Sequence, residues 1–421
     1  MSDTIPTGQE DPALVTPESR DQEGDHPDVS DLLLQADSSQ APVLSVVMPT
    51  LNEEKGVYVC IQKIKQAIVE LGVPTEIIIS DSSTDRTRAI ARHEGAIVVE
   101  PTEMGYGNAY RYAFERARGE YIAMGDADVT YDFTSLPKLL APVRDGRADM
   151  VLGSRLNGTI ESGSMPLLHK YVGNPFLTWF LNVFYDAGVS DAHSGFRVFT
   201  RDALDRLELS SGGMEFASEM LMEASVKGLR IEEVPIVYHE REGDATLHSF
   251  RDGWRHVRFM LVNTPGHIFS LPGTALAVVG LVSLVLSVSG AQIGQYSPGV
   301  LTTVAGGLAL ITGFQFWCLA VFSATADTGI RAPSDRLTQW AKEHVRLEHG
   351  MSVGVGVSAL GLAYLGSVLL TWATAGYTAL PSLKTIVIAF ISVVLGMQIL
   401  SSSFFLSALG SAGWDPQNGP G

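Results

Sequence analysis

The chain has 421 residues and a formal net charge of −17, yet its mean hydropathy is +0.17. A chain both acidic and mildly hydrophobic must segregate the two properties along its length, so a uniform soluble globule is excluded. The absence of a basic stripe argues against nucleic acid as a partner. Two cysteines far apart, Cys60 and Cys318, build neither a disulfide framework nor a thiolate metal cluster.

Residues 1–42 read as an acidic, disordered tail. Asp3, Glu10, Asp11, Glu18, Asp21, Glu23, Asp25, Asp28, Asp31 and Asp37 stand there against Arg20 alone, with almost no apolar periodicity. Such a carboxylate surplus suits a high-salt cytoplasm. The start of the chain lacks a basic patch followed by an apolar core, so no cleaved signal peptide is expected.

Residues 43–247 alternate strands with helices. Strands are expected at Val43–Met48, Glu76–Ile79, Ala96–Val99, Tyr121–Met124 and Asp149–Leu152, and helices up to Leu71, over Thr87–His93 and over Asn108–Ala117. Strands separated by helix-length segments predict βαβ units and a mainly parallel sheet. Ligands of such sheets bind at the carboxyl ends of the strands, where this chain places its polar and glycine-rich segments.

The sharpest chemical signal is Gly125-Asp126-Ala127-Asp128, directly after the strand Tyr121–Met124. Alternating carboxylates at a strand end can converge on one hard divalent cation, Mg²⁺ or Mn²⁺, which neutralises a departing diphosphate. The first strand leads into Pro49-Thr50-Leu51-Asn52-Glu53-Glu54 and the second into Asp81-Ser82-Ser83-Thr84-Asp85, loops suited to a base and ribose. Gly105-Tyr106-Gly107-Asn108-Ala109 opens a helix but has Tyr110 where a dinucleotide fingerprint needs glycine. A tight turn is its simplest role.

Residues 248–264 are expected to form an amphipathic helix at a membrane surface. Arg251, Arg255 and Arg258 recur at helical spacing among Phe250, Trp254, Val257 and Leu261. Residues 265–407 hold four apolar runs, at about 268–290, 300–323, 352–373 and 385–407, each near the ~20 residues needed to cross a bilayer. The gap after the second run carries Arg331, Arg336, Lys342 and Arg346, which places it, both termini and the 408–421 tail in the cytoplasm by the positive-inside tendency.

Taken in order, Pro49–Glu54, Asp81–Asp85, Gly105–Ala109, Asp126 with Asp128, Gly153-Ser154-Arg155 and Ser194-Gly195-Phe196-Arg197 resemble glycosyltransferase family 2, in particular the dolichyl-phosphate hexosyltransferases. The resemblance covers about residues 43–260. It implies a GT-A fold, an α/β catalytic domain with a Rossmann-like mixed, mainly parallel sheet, followed here by an α-helical transmembrane bundle. It implies inverting transfer of a hexose from a GDP- or UDP-sugar to a polyprenyl phosphate at the cytoplasmic face of the cell membrane. Carried over by position, Pro49, Leu51, Glu53, Ile79, Asp81, Gly107 and Ala127 resemble the nucleotide-sugar site. Asp126, Asp128 and Thr130 resemble the metal ligands, and Arg155, Ser194 and Arg197 a grip on the acceptor phosphate. Arg241 resembles an arginine near the donor diphosphate, which with Asp126, Asp128 and Arg155 completes the catalytic set. The mannose synthases of the family often carry a basic residue where Ser190 stands and a lysine after the arginine motif, where this chain reads Asp244-Ala-Thr-Leu247; His193 or His248 could supply a missing cation. A processive polysaccharide synthase would carry a Gln-x-x-Arg-Trp segment, which is lacking here. An enzyme extending a lipid-linked saccharide, or a scaffold keeping the fold without catalysis, are the remaining readings.

Overall fold

The computed structural model describes residues 28–242, 249–292, 294–325, 338–340, 344, 347–376, 378 and 382–412. The acidic run 1–27, residues 243–248 and the basic residues Arg331, Arg336, Lys342 and Arg346 lie outside them.

Part of the expected tail is built into the domain. Helix α1 (Val29–Leu32) and the residues after it bury Leu32 and Leu34. Leu34 donates its N–H to the Thr75 carbonyl, and Arg118 reaches back to the carbonyls of Gln35 and Ser38. Two leucines suffice because they meet a preformed apolar edge.

The apolar runs become central strands. β1 (Leu44–Thr50) and β2 (Thr75–Asp81) are buried almost throughout, which is why they read as continuous apolar stretches instead of alternating ones. Between them α2 (Val57–Leu71) turns Val57, Cys60, Ile61, Ile64, Ala67 and Ile68 inward at helical spacing. It stops at Gly72, whose φ of 61° favours a residue without a side chain. Then come α3 (Thr87–His93), β3 (Ile97–Val99), α4 (Tyr106–Phe114), β4 (Tyr121–Met124), α5 (Leu136–Arg144), β5 (Met150–Ile160), α6 (Asn174–Tyr185), β6 (Arg197–Thr200), α7 (Arg201–Arg206), α8 (Phe216–Val226) and β7 (Ile231–Tyr238).

The strand order is β3-β2-β1-β4-β6-β5-β7. β1, β2, β3 and β4 pair in parallel, as do β5 and β7, whereas β6 runs antiparallel to both β4 and β5. The sheet is mixed and mainly parallel. One apolar layer packs α4, α6 and α8 on one face, and a second packs α2 and α5 on the other. Because β6 opposes β4 with Arg197 beside Met124, the turn that enters β6 meets the loop that leaves β4.

Helix α9 (Ser249–Val262) uses its apolar side differently from expectation. His256 and Met260 are buried, and Val257, Phe259 and Leu261 pack on the catalytic core. Trp254, Arg255 and Arg258 remain exposed. The helix leads through Thr264 into α10 (Pro265–Ser289), the first of four long apolar helices among the described residues, with α11 (Val300–Thr325), α12 (Leu347–Thr374) and α13 (Leu383–Ala412). All four are long and apolar enough to cross a membrane. Glycine lets α10 and α11 touch backbone to backbone. A methyl group on Gly280 would collide with Leu310 and Gly306, and one on Gly313 with Ala277 and Gly273. Gly354 and Gly361 do the same for α12 against α13, the packing expected where no hydrophobic force drives helices together.

Candidate active site

Four loops converge at the carboxyl end of the parallel strands. The loop after β4 carries Asp126 and Asp128. Its course is strained: Val129, a β-branched residue, holds φ at 70°, which costs on the order of 1–3 kcal/mol and persists only where the surroundings impose it. Gly56, at the start of α2, allows the close approach, since a Cβ there would strike the Ala127 carbonyl.

Asp126 is enclosed by tyrosines. Tyr106 Oη donates to its Oδ1 at 2.9 Å, and Tyr110 Oη donates at 3.0 Å to the Gly125 carbonyl. Burial first, and then the charge of Asp128, push the Asp126 carboxyl well above the usual carboxylate range, against the opposing pull of the Tyr106 hydrogen bond. Gly195 presses on its other side, and the Gly195 N–H donates to Tyr131 Oη at 2.7 Å. Asp128 is aimed by Thr130, whose hydroxyl donates to Oδ1 at 2.6 Å. Thr130 therefore orients a carboxylate where it had been expected as a third ligand, and it is 2% exposed.

Arg241 arrives because the chain after β7 runs beside this loop: His239 N–H bonds the Thr130 carbonyl and Glu242 N–H the Asp128 carbonyl. Its guanidinium bridges Glu53 Oε1 at 2.6 Å and Asp128 Oδ2 at 3.5 Å. Burial raises the Glu53 carboxyl, Arg241 lowers it and Asp128 raises it, for a net rise. One cation thus ties the loop after β1 to the loop after β4.

The expected nucleotide loops are laced together. Thr50 Oγ1 donates to Asp81 Oδ1 at 2.8 Å, Arg88 Nε to Asp81 Oδ2 at 3.0 Å, and Asn52 pairs with Ser83 and Thr84. Pro49 is half-buried and Leu51 is exposed at the rim. The Ile79 side chain lies wholly in the core and Ala127 is 2% exposed, so only their backbones can face a ligand. Gly107 is a packing glycine: its N–H bonds the Gly212 carbonyl and a Cβ would meet the Ser211 carbonyl.

The expected phosphate grip is turned inward. Arg155 forms a two-point pair with Asp191, Nε to Oδ2 and Nη2 to Oδ1, both at 2.8 Å. Burial works against its charge, but Tyr131 and Asp191 outweigh that and raise its pKa. Arg197 is fully buried and donates to the carbonyls of Ser194 and Ala192 at 2.9 and 3.1 Å. A residue so enclosed braces the 191–195 turn and does not touch an acceptor. Ser194 is also buried, with its hydroxyl unpartnered. His193 is no spare cation: its Nε2 faces Ser218 Oγ at 3.1 Å, which faces His256 Nδ1 at 3.1 Å, and burial holds its pKa well below the ordinary value.

Sequence reasoning missed Tyr106, Tyr110, Tyr131, Gly56 and Gly195 as parts of this site. Tyr106 and Gly195 stand inside motifs that the sequence does show, Gly105–Ala109 and Ser194–Arg197, and Tyr110 lies one helical turn after Tyr106. Among the described residues no group of three or more His, Cys, Asp or Glu is arranged around a metal position. Asp126 and Asp128 still fit a hard divalent ion: they are two oxygen donors at one strand end, and burial first and then the charge of Asp128 raise the Asp126 carboxyl, a cost that a bound cation would offset.

This arrangement can be set beside known proteins. Residues 45–208 match glycosyl transferase family 2, and residues 321–410 match the C-terminal transmembrane region of that family. The chain is 56% identical to the low-salt glycan biosynthesis hexosyltransferase Agl6 of Haloferax volcanii, over 91% of this chain and 93% of that one. It is 34% identical to the dolichyl-phosphate hexose transferase of the same organism, over 50% of this chain and 89% of that one. It is also similar, at 22% identity and a TM-score of 0.43, to a crystal structure of glucosyl-3-phosphoglycerate synthase from Mycobacterium tuberculosis, over 52% of this chain and 79% of that one. The chain belongs to glycosyltransferase family 2, as a membrane protein whose GT-A catalytic domain precedes four apolar helices.

Proposed function

We propose that this enzyme transfers a hexose from a nucleotide sugar to a polyprenyl phosphate, with inversion, at the cytoplasmic face of the cell membrane. The observation that carries the reading is the Asp126–Asp128 pair at the end of β4, bridged by Arg241 to Glu53. The identity to a dolichyl-phosphate hexose transferase supports the acceptor class.

The base and ribose of a GDP- or UDP-hexose lie against the rim made by Pro49, Leu51, Glu53 and the Asp81–Asp85 loop. Mg²⁺ or Mn²⁺ held by Asp126 and Asp128 supplies charge neutralisation for the leaving diphosphate. Arg241 exchanges part of its contact with Asp128 for a diphosphate oxygen, which strengthens as charge builds on the leaving group. Tyr106, Thr130 and Gly195 fix the carboxylates, so little reorganisation accompanies transfer. The acceptor phosphate is already an anion near neutral pH and attacks the anomeric carbon without a strong general base. A single displacement inverts that centre. Arg155, clamped by Asp191, contributes positive field at Asp126, whose carboxyl it pulls downward.

The test is product analysis. Purified full-length protein is incubated with labelled GDP- and UDP-hexoses, a polyprenyl phosphate and Mg²⁺ or Mn²⁺. A lipid carrying one sugar, released by mild acid, is expected. A polymer, or no labelled polyprenyl phosphate with any of these donors, would refute the acceptor assigned here.

A further inference from the structure

We propose that His256 of α9 is a positioning residue for Asp126, acting through Ser218 and His193 on the turn that holds Gly195. The inference deepens the function proposed above and rests on its reading of Asp126 as a metal ligand.

The 191–195 turn is where the influence reaches the site. Gly195 packs on Asp126 so closely that a Cβ there would stand 2.9 Å from Oδ2, and its N–H is bound to Tyr131 Oη at 2.7 Å. A small movement of the turn is therefore passed to the carboxylate. Neighbouring elements brace it. Glu233 Oε1 of β7 accepts the Asp191 N–H at 3.0 Å, and Thr178 Oγ1 of α6 accepts the Ala192 N–H at 3.2 Å. The His193 side chain ties the turn to α8 and α9. Its Nε2 lies 3.1 Å from Ser218 Oγ on α8, and that hydroxyl lies 3.1 Å from His256 Nδ1 on α9. The two imidazole rings stand edge to face with centroids 5.0 Å apart.

The direction of these hydrogen bonds follows from their surroundings. His193 Nδ1 is enclosed and has no hydrogen-bond partner. Enclosed N–H groups without an acceptor are rarer than enclosed acceptors without a donor, so neutral His193 carries its proton on Nε2. That nitrogen donates to Ser218 Oγ, and the hydroxyl passes its one proton on to His256 Nδ1. Ser218 is fully buried. A hydroxyl that loses this acceptor must rotate to find another, and the carbonyl one turn back in its own helix is the alternative a helical serine uses. Rotation withdraws Oγ from His193 and frees the turn. His256 itself is fixed: it is buried, Met260 one turn later lies in the core, and just past α9 the Asn263 carbonyl accepts from Tyr185 Oη at 2.9 Å. The helix that leads into the first apolar span thus sets one side of the metal site through two intervening side chains.

The test compares full-length His256→Leu, His256→Asn and Ser218→Ala with the unsubstituted protein. Asparagine keeps an amide oxygen near the place of Nδ1, leucine keeps bulk without an acceptor, and alanine removes the hydroxyl. Mn²⁺ is titrated into each protein with UDP and with GDP and read from the EPR signal of the free ion, beside kcat for hexosyl transfer and the melting midpoint. His256→Leu and Ser218→Ala should bind Mn²⁺ several-fold more weakly and lose on the order of 10-fold in kcat, since a displacement of about 1 Å can cost that much or more. His256→Asn should restore both readouts, with the three melting midpoints within a few degrees of one another. Ser218→Ala, a change that favours helix, carries the test if His256→Leu fails to fold. Unaltered Mn²⁺ binding and kcat in Ser218→Ala would overturn the inference. So would an asparagine variant as impaired as the leucine variant, which would make His256 a packing residue. An unsubstituted protein that binds no Mn²⁺ with either nucleotide would instead refute the reading of Asp126, and the inference with it.

Discussion

Gly195 has no room for a methyl group. A Cβ there would stand 2.9 Å from Asp126 Oδ2, with the hydroxyls of Tyr106 and Tyr131 at 3.2 and 3.3 Å. Gly195→Ala must therefore displace a carboxylate and not merely fill space. Misplacing a catalytic group by about 1 Å can cost on the order of 100-fold in rate. The variant should lose at least about 10-fold in kcat while its thermal midpoint moves by only a few degrees, which steady-state kinetics and a melting curve check together. Asp191→Ala should behave in the opposite manner. It leaves the buried Arg155 guanidinium without its partner, a loss of roughly 3–5 kcal/mol for a buried pair, so chemical denaturation of the catalytic domain should shift strongly.

His193 gives a pH prediction. Burial first, then the neighbouring His256, Arg155 and Arg197, hold it neutral in the folded protein, well below its ordinary 6.5. The unfolded chain takes up a proton there that the folded chain refuses. Stability from this group is thus fully present above pH 6.5 and declines as pH falls below it. His193→Gln should flatten that decline in denaturant titrations between pH 7 and 5. An unchanged slope would remove His193 as its source.

At the scale of elements, glycine decides how the spans pair. Gly280 and Gly313 sit where α10 and α11 meet backbone to backbone. Gly280→Leu should separate the helices and lower the detergent-resistant melting temperature, whereas Gly356→Leu, at a position with open space around it, should be tolerated. Elements dictated by local composition were legible in the sequence. The buried strands β1, β2 and β4 and the four apolar helices announce themselves by unbroken apolar runs. β6 has only four residues and begins with an arginine, and β7 carries Glu232, Glu233 and Pro235, so neither resembles a strand before its neighbours are known. The same holds for residues 28–42, where Leu32 and Leu34 are outnumbered by polar residues. Asp126 and Asp128 were legible because they directly follow an apolar strand. Arg197 was misjudged because burial of an arginine depends on which carbonyls a distant turn presents, here those of Ala192 and Ser194. Tyrosines around Asp126 were missed for the same reason: nothing in their spacing tells which neighbour their hydroxyls will find.

On the scale of the whole molecule, the catalytic domain is joined to its membrane region by contacts as well as by chain. α9 packs its apolar side on the core, and Tyr185 and Phe184 reach the entrance of α10. This holds the strand-end site at a fixed distance from the start of α10, the arrangement that transfer to the proposed polyprenyl phosphate would require. All of it depends on Asp126 and Asp128 acting as a pair on a divalent ion and a nucleoside diphosphate. Calorimetric titration of the full-length protein with UDP and GDP, with and without Mn²⁺, tests this most directly. Binding of at least one nucleotide should require the ion and weaken at least about 10-fold in Asp128→Asn, the loss expected when a charge-assisted contact worth about 1.4 kcal/mol or more is removed. Equal affinity without the ion, or in the variant, would contradict the account.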